Sequence, residues 1–186
     1  MSTGLTSAHY TLLGLLLQQP AHGYDLLRRL KQQAAAATVI PLKAASLYAA
    51  LHELESQGLI VGQTVVDTSY PPRTFFEPTA AGRQRFKAWL AEPVQRLREV
   101  RSDFLLKVYF AGALAPDGGA GLVERQIEIL TGYVRNMEDE MLAAGSDSFD
   151  YLVAESKLTA AQGTLTWLQK YRVRLLGASR STHSNN

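Results

Sequence analysis

The sequence predicts a mainly α-helical protein with one small β-hairpin. Apolar residues recur at helical spacing along most of the chain, and one stretch, 59–66, is rich in β-branched residues and bounded by glycine. After Glu92-Pro93, almost the whole chain follows the helical pattern. The chain has 186 residues, of which 46% are hydrophobic, and its net charge is only +2. This composition supports a folded core and excludes a mainly disordered chain.

Three helices are predicted in the first part of the chain. The first covers about 7–18, with Ser7 as a plausible N-cap, and the second covers about 24–37. The third covers about 43–57, and Gly58 stands where a glycine commonly ends a helix. Three leucines at spacings of four and three share one face of this third helix: Leu47, Leu51 and Leu54.

A hairpin follows the third helix. Its predicted strands are 59–66 and 73–78, and residues 67–72 form the turn. Thr79 then caps a helix that extends to about Leu90. The order of three helices and a two-stranded hairpin is that of a winged helix-turn-helix, which we place at 1–92.

The second half of the chain predicts three further helices, over about 100–114, 119–143 and 149–176. Two of them carry apolar stripes at alternating spacings of three and four, which is typical of coiled coils and helix bundles. The stripes are Ile127, Leu130, Val134, Met137 and Met141, and Tyr151, Ala154, Leu158, Ala161, Leu165 and Leu168. Two or three helices cannot easily bury such stripes alone. We therefore expect an α-helical dimerisation domain over 93–177 and a flexible tail over 178–186.

The residue types present argue against an enzyme. The chain has no cysteine, which excludes disulfides, thiol catalysis and cysteine-based zinc sites. The glycine-rich stretch 118–121 lacks the lysine of a phosphate-binding loop. Tyr24 and His22 could be reactive, but no second histidine nearby and no acid at a fixed catalytic spacing accompanies them; the other histidines are His9, His52 and His183. We expect no catalytic activity, no cofactor and no metal site.

Neither a membrane segment nor a secretion signal is predicted. The densest apolar stretch, 12–17, is far shorter than the roughly twenty residues that a membrane span needs. The first ten residues carry no basic region ahead of a long apolar run. Together with the lack of cysteine, these features favour a cytoplasmic protein.

The positive charge is unevenly placed. Four cations and no acid lie between positions 28 and 43, whereas acids and bases balance after Pro93. Any surface that binds a polyanion is therefore expected in the first half. The cations are Arg28, Arg29, Lys31 and Lys43.

Several segments resemble the PadR family of bacterial transcriptional regulators. They are YTLLGLLLQQPAHGYDLLRRL (10–30), SLYAALHELESQGLI (46–60), RTFFEPTAAGRQRF (73–86) and SDFLLKVYFAGAL (102–114). The resemblance implies a winged helix that binds double-stranded DNA as a homodimer, usually as a repressor, and in some members release of DNA by a small molecule. Two positions depart from the family pattern. Ala45 stands where glycine is common, and Glu53 stands where a basic residue is frequent, which weakens attraction to phosphate late in the third helix.

The outward face of the third helix is the predicted DNA-reading surface. Opposite the leucines lie Lys43, Ser46, Ala49 and His52, with Tyr48 at the boundary. In a helix-turn-helix, the first part of the recognition helix reaches the base edges. Lys43 and Ser46 can donate to phosphates or bases, and Ala49 can contact a thymine methyl group. The alternative is an ordinary solvated face with Tyr48 packed in the core.

Further candidate DNA contacts flank this helix. Arg28 and Arg29 are expected on phosphates, or else are ordinary surface cations. Gly23 either offers backbone N–H groups to a phosphate or is a turn glycine. Arg73, at the wing, is expected to reach a minor groove or a phosphate.

A pocket for a small apolar or aromatic effector is a further expectation. Its candidate residues are Trp89, Trp167, Tyr109 and Tyr133, which would otherwise be plain core residues. The function that the sequence favours is a homodimeric regulator that binds a palindromic operator through helix 43–57. The alternative is a winged-helix protein-interaction module that does not bind DNA.

Overall fold

The computed structural model describes residues 4–32, 42–67, 70–115, 117–146 and 148–183, with the backbone alone over 65–67, 70–73 and 176–183. The chain divides into two compact units. The first combines Met1–Glu92 with Arg101–Leu114, and the second combines Pro93–Val100 with Ala115–Asn186.

The first unit contains five helices and three strands in the described ranges. In chain order they are α1 (Ser7–Gln18), β1 (Ala21–His22), α2 (Gly23–Gln32), α3 (Ala44–Ser56), β2 (Ile60–Asp67), β3 (Tyr70–Pro78), α4 (Ala80–Ala91) and α5 (Asp103–Leu114). Three helices followed by a hairpin and a helix confirm the predicted winged helix-turn-helix. The part of the second helix predicted over 33–37 lies outside the described residues.

The wing is a three-stranded antiparallel sheet in the order β1-β3-β2. The hairpin of β2 and β3 confirms the prediction, whereas β1, which pairs Ala21 with Phe76, was not predicted because two residues carry no readable pattern. Strand β3 begins at Tyr70, not at residue 73. The prolines at 71 and 72 are tolerated because β1 pairs only with residues 75 and 76, which leaves that edge of β3 open.

Two helix starts are held by side chains. Thr6, not Ser7, is the N-cap of α1, and its backbone N–H donates to Nδ1 of His9 at 3.1 Å. Ser7 is already helical, and its hydroxyl instead donates to the carboxylate of Asp103. Thr79 caps α4 as predicted, since its Oγ1 accepts the N–H of Gly82 at 3.1 Å.

Helix α5 packs into the core of the first unit. Phe104, Leu106 and Phe110 are at most 1% exposed. The ring of Phe110 fills the space beside Gly14 in the middle of α1, where even a methyl group would collide with it. The predicted division at Glu92-Pro93 assigned this helix to the second domain. Its buried aromatic face instead makes it part of the first unit.

Helix α5 also secures the end of α4. The ammonium group of Lys107, a buried residue, donates to the carbonyl oxygens of Trp89 at 2.7 Å and Glu92 at 2.6 Å. It also lies 4.9 Å from the ring centroid of Trp89. These carbonyls stand at a helix end, where a cation is favoured.

The second unit is built on two long helices. A short 3-10 helix, Leu97–Arg101, crosses the boundary between the two units in the sequence, and the second unit then contains α6 (Ala120–Ala143) and α7 (Phe149–His183). An ion pair of 3.3 Å joins Arg172 late in α7 to Glu124 early in α6, so the two helices run antiparallel. The carboxylate of Asp117 accepts the N–H groups of Gly121 and Gly119 at the start of α6, and these bonds lower its pKa.

The apolar stripes of α6 and α7 pack against each other. Val134 and Met137 form a core with Leu158 and Ala161. The premise that these stripes need a second chain to bury them was therefore wrong. The last helix also continues through Gly177 to His183 instead of ending near Leu176, and 178–183 contains no glycine or proline that would end it. In the described ranges, no helix combines the length and apolarity needed to cross a bilayer.

Candidate nucleic-acid interface

Helix α3 has one fully buried side and one fully exposed side. Leu47, Leu51 and Leu54 are at most 1% exposed, because they pack into the core of the first unit. The opposite side carries exposed residues only: Lys43, Ser46, Tyr48, Ala49 and His52. Tyr48 is 52% exposed, so the alternative in which it packs in the core does not hold. The arrangement leaves one side of the helix available to a partner.

Tyr48 lies against the first residue of α2. A Cβ atom on Gly23 would stand 2.5 Å from Cε1 of Tyr48, which is far inside van der Waals contact. Gly23 is buried, and its φ is not positive. Glycine is therefore required at position 23 because a side chain there would collide with the Tyr48 ring, and not because a turn needs a positive φ.

Two hydrogen bonds hold α3 to its neighbours. Nε2 of His9, a buried residue of α1, lies 2.8 Å from the Glu53 carboxylate. Because Nδ1 of His9 accepts the N–H of Thr6, Nε2 carries the proton and donates to Glu53. At the end of α3, the carboxylate of Glu55 accepts the N–H of Gly62 in β2 at 3.0 Å. The acid at position 53 thus fixes α3 to α1.

The two arginines of α2 have partners within the first unit. Arg28 lies 2.9 Å from the carboxylate of Asp25, one turn earlier. Arg29 donates to the backbone oxygen and to Oε1 of Gln19, each at 3.1 Å. Both side chains are therefore less available to phosphates than the sequence indicates. The i,i+3 spacing of Asp25 and Arg28 in the sequence is the signal that indicates this ion pair.

Arg73, the predicted DNA contact of the wing, is described only in its backbone. Arg73 belongs to β3, where its backbone pairs with Val65. Its side chain lies outside the described part of the chain, so its role stays a prediction. Thr74, the next residue, is described, and its hydroxyl lies 3.1 Å from that of Thr64 on β2.

A surface cleft adjoins the exposed side of α3. It has a volume of about 710 Å³ and lies between the start of α2, α3 and strand β3. We name it the tyrosine cleft after two of its residues. The lining residues are His22, Gly23, Tyr24, Asp25, Arg28, Tyr48, Thr74 and Phe76. Tyr24 was not predicted to bind a partner, because no pattern in the sequence places it in one cleft with Tyr48.

The four candidate effector residues do not form one group within either unit. Trp89 stacks on Tyr10 with ring centroids 4.5 Å apart, and Tyr109 also packs against the core of the first unit. Tyr133 packs against the core of the second unit. Trp167 is 40% exposed and stacks on Tyr171, whose pKa is raised by burial. Three of the four are thus partly buried against the core of their own unit.

Histidines and acids do not cluster as metal ligands in the part of the chain that the structure describes. His22 contacts Asp25, and His9 contacts Glu53, so each has a structural partner. His52 is exposed on α3. The interface consists of hydroxyls, a lysine, small side chains and aromatic rings, and this set suits hydrogen bonding and not catalysis.

Two family models match the chain. Residues 12–88 match the transcriptional regulator PadR-like family, and residues 100–175 match the C-terminal region named virulence activator alpha. A curated protein of Bacillus subtilis (strain 168), named negative transcriptional regulator PadR, is 25% identical over 170 residues. That match covers 86% of this chain and 92% of the relative.

Solved structures give similar matches. Bacillus subtilis PadR in complex with operator DNA is 22% identical with a TM-score of 0.47, and the match covers 93% of this chain and 99% of that chain. The same protein in complex with p-coumaric acid is 22% identical with a TM-score of 0.41, covering 91% and 99%. The PadR-like regulator BC1756 of Bacillus cereus is 22% identical with a TM-score of 0.42, covering 94% and 99%.

Proposed function

The chain belongs to the PadR-like family of transcriptional regulators, and we propose that it binds double-stranded DNA as a homodimer through the exposed side of α3. Members of this family are DNA-binding regulators and not enzymes. The proposed target is a palindromic operator, and the proposed outcome is repression. The name of the Bacillus subtilis relative, a negative regulator, supports repression.

The observation that carries the proposal is the division of α3 into two sides. Its leucines hold it in the core, while Lys43, Ser46 and Ala49 remain exposed near its start. Small and hydrogen-bonding side chains allow a helix to approach base edges closely, and a lysine adds attraction to phosphate. The contacts of Glu53 and Glu55 give α3 a fixed orientation, which sequence reading requires.

Dimerisation is supported by apolar side chains that the second unit leaves in water. Leu142 is 82% exposed and Phe149 is 76% exposed, on either side of the turn between α6 and α7. Leu152 and Val173 on α7 are 56% and 65% exposed. Contiguous exposed apolar surface is typical of interaction sites, and three of these four side chains lie close together in the sequence, within 142–152. We propose that a second copy of this unit covers them.

A dimer gives the winged helix the affinity that one copy lacks. A single small module makes few base and phosphate contacts and competes with a large excess of non-specific DNA. Two α3 helices on half-sites about one helical turn apart add their binding free energies. The operator would then be an inverted repeat that mirrors the two-fold symmetry of the protein.

Release of DNA by a small apolar or aromatic effector belongs to the same proposal. Trp167 is the candidate with accessible ring surface, and it offers a stacked pair with Tyr171. An effector of this kind would have to bind one arrangement of the dimer more tightly than the other. Quenching of tryptophan fluorescence by added aromatic acids, lost in Trp167→Leu, tests this part.

Selection of bound duplexes from a random pool tests the function and its symmetry together. The full chain is expected to recover an inverted repeat with two equivalent half-sites. Failure to retain any duplex at low salt would contradict DNA binding and favour a winged helix that binds a protein partner. Recovery of a single, non-repeated site would contradict the homodimer while leaving DNA binding in place.

A further inference from the structure

The tyrosine cleft carries the two most exposed large apolar side chains of the first unit in its described ranges. Tyr24 is 66% exposed and Tyr48 is 52% exposed. Each combines an apolar ring with a hydroxyl that can donate a hydrogen bond. The absent side chain of Gly23 lets the Tyr48 ring lie at the start of α2, close to Tyr24 in sequence. The two rings therefore line one surface and not two.

The charged groups of the cleft already satisfy one another. The Asp25 carboxylate lies 2.9 Å from Arg28 and 3.0 Å from Nε2 of His22. Nδ1 of His22 also accepts the backbone N–H of Asp25 at 3.2 Å, which places its proton on Nε2. The charge of Arg28 is thus balanced by Asp25. The cleft thus offers the neutral hydroxyls of Tyr24 and Tyr48 beside an Arg28 side chain that is exposed but already paired with Asp25.

We propose that the tyrosine cleft holds a stretch of the sugar–phosphate backbone of duplex DNA, with the hydroxyls of Tyr24 and Tyr48 as neutral donors to phosphate oxygens. This inference rests on the proposed DNA binding by α3. Under this proposal, Arg28 remains paired with Asp25, where it positions the start of α2, and does not contact a phosphate. The sequence had instead predicted that Arg28 contacts a phosphate. The two hypotheses, a phosphate held by tyrosine hydroxyls and a phosphate held by Arg28, predict different results.

Three features favour a DNA backbone as the occupant. Tyr48 belongs both to the exposed side of α3 and to the cleft, so a duplex read by α3 passes beside it. Tyrosine hydroxyls are among the groups that contact DNA phosphates. Phe76 and the tyrosine rings provide apolar walls, and Thr74 adds a hydroxyl, which suits a deoxyribose next to its phosphate.

Salt dependence separates neutral donors from cations. A lysine or arginine on a phosphate releases counterions, and its loss lowers the slope of log K against log salt by about one. A phenol releases none. Tyr24→Phe and Tyr48→Phe are each expected to weaken binding of a mixed-sequence duplex about fivefold with an unchanged slope. Arg28→Gln is expected to leave the slope unchanged, whereas Lys43→Gln lowers it.

The controls use the full chain throughout. Tyr10→Phe removes a hydroxyl from a buried ring outside the cleft and is expected to bind as the parent does. Because Phe keeps the aromatic ring, thermal melting is expected to stay the same in the two cleft variants. A variant with a lower melting temperature is compared with the parent at a temperature below the variant's own transition, where both proteins are folded, and the salt slope is measured there.

Two results would overturn the inference. One is duplex binding by Tyr24→Phe and Tyr48→Phe as tight as that of the parent, and the other is a slope that Arg28→Gln lowers by about one. Either result leaves DNA binding by α3 intact if Lys43→Gln still weakens it. No binding of any duplex by the parent protein would instead refute the proposed function itself.

Discussion

The ring of Tyr48 occupies the space that any side chain at position 23 would need. A methyl group on Gly23 would approach Cε1 of Tyr48 to 2.5 Å. Among the described residues, positive φ angles occur at Gly58, Gly118 and Gly119 and not at Gly23. The start of α2 and the outer side of α3 are therefore fitted to each other through one missing Cβ atom.

Gly23→Ala is expected to displace the Tyr48 ring and weaken duplex binding about tenfold, with a smaller loss of stability of about 1 kcal/mol. Binding titrations and urea unfolding measure the two effects. Gly132→Ala, in the middle of α6, meets no atom within 4 Å and serves as the control. Unchanged DNA binding by Gly23→Ala would show that the position of Tyr48 does not matter for recognition.

A second close contact, between Gly14 of α1 and the ring of Phe110 of α5, controls stability instead of binding. Gly14→Ala is expected to destabilise the first unit by about 1–3 kcal/mol because the core is overpacked. Gly163→Ala in α7, which also has nothing within 4 Å, is the matched control. In Gly14→Ala, the additional change Phe110→Leu should restore part of the loss. Additive losses in that double variant would argue against the contact.

Glu53 lies on the same edge of α3 as Ser46 and Ala49, which precede it by seven and four residues. Glu53→Gln keeps an acceptor for Nε2 of His9 but removes a negative charge from this edge. Duplex affinity at low salt is expected to rise about threefold, with little change in stability. Glu155→Gln on α7 removes the same charge from the second unit and should change nothing. Weaker binding by Glu53→Gln would mean that the charge itself aids recognition.

The position of α5 predicts where the chain can be divided. A fragment of residues 1–114 is expected to fold and remain monomeric, because it retains Phe104 and Phe110 in its core and lacks α6 and α7. A fragment of residues 1–92 loses these rings and is expected to unfold or aggregate. Circular dichroism and sedimentation measure both. A well-folded 1–92 fragment, or a dimeric 1–114 fragment, would contradict this division.

The sequence was sufficient to predict the elements near the interface. Leucine spacing and Gly58 placed α3 within one residue at each end, and Thr79 was correctly identified as the cap of α4. Such signals are local, since they depend on periodicity and on the chemistry of helix ends. The side of α3 that faces solvent followed from the same spacing.

The contacts between distant residues were not readable from one sequence. His9 and Glu53 are 44 positions apart, and no periodicity links them. Phe104 and Phe110 were recognisably apolar, but the pattern does not say which unit buries them, so α5 was assigned to the wrong side of the boundary. The stripes of α6 and α7 likewise showed that these helices pack, without showing that they pack on each other.

The central claim is that the exposed side of α3 enters a groove of duplex DNA, and Ala49→Glu tests it most directly. Ala49 is exposed, so the fold should tolerate the change, while a carboxylate at that point would face the phosphates and bases. Equilibrium titration of the selected duplex should show binding weakened at least tenfold, whereas Ala160→Glu on α7 should bind as the parent does. Equal affinity of Ala49→Glu and the parent protein would contradict the account.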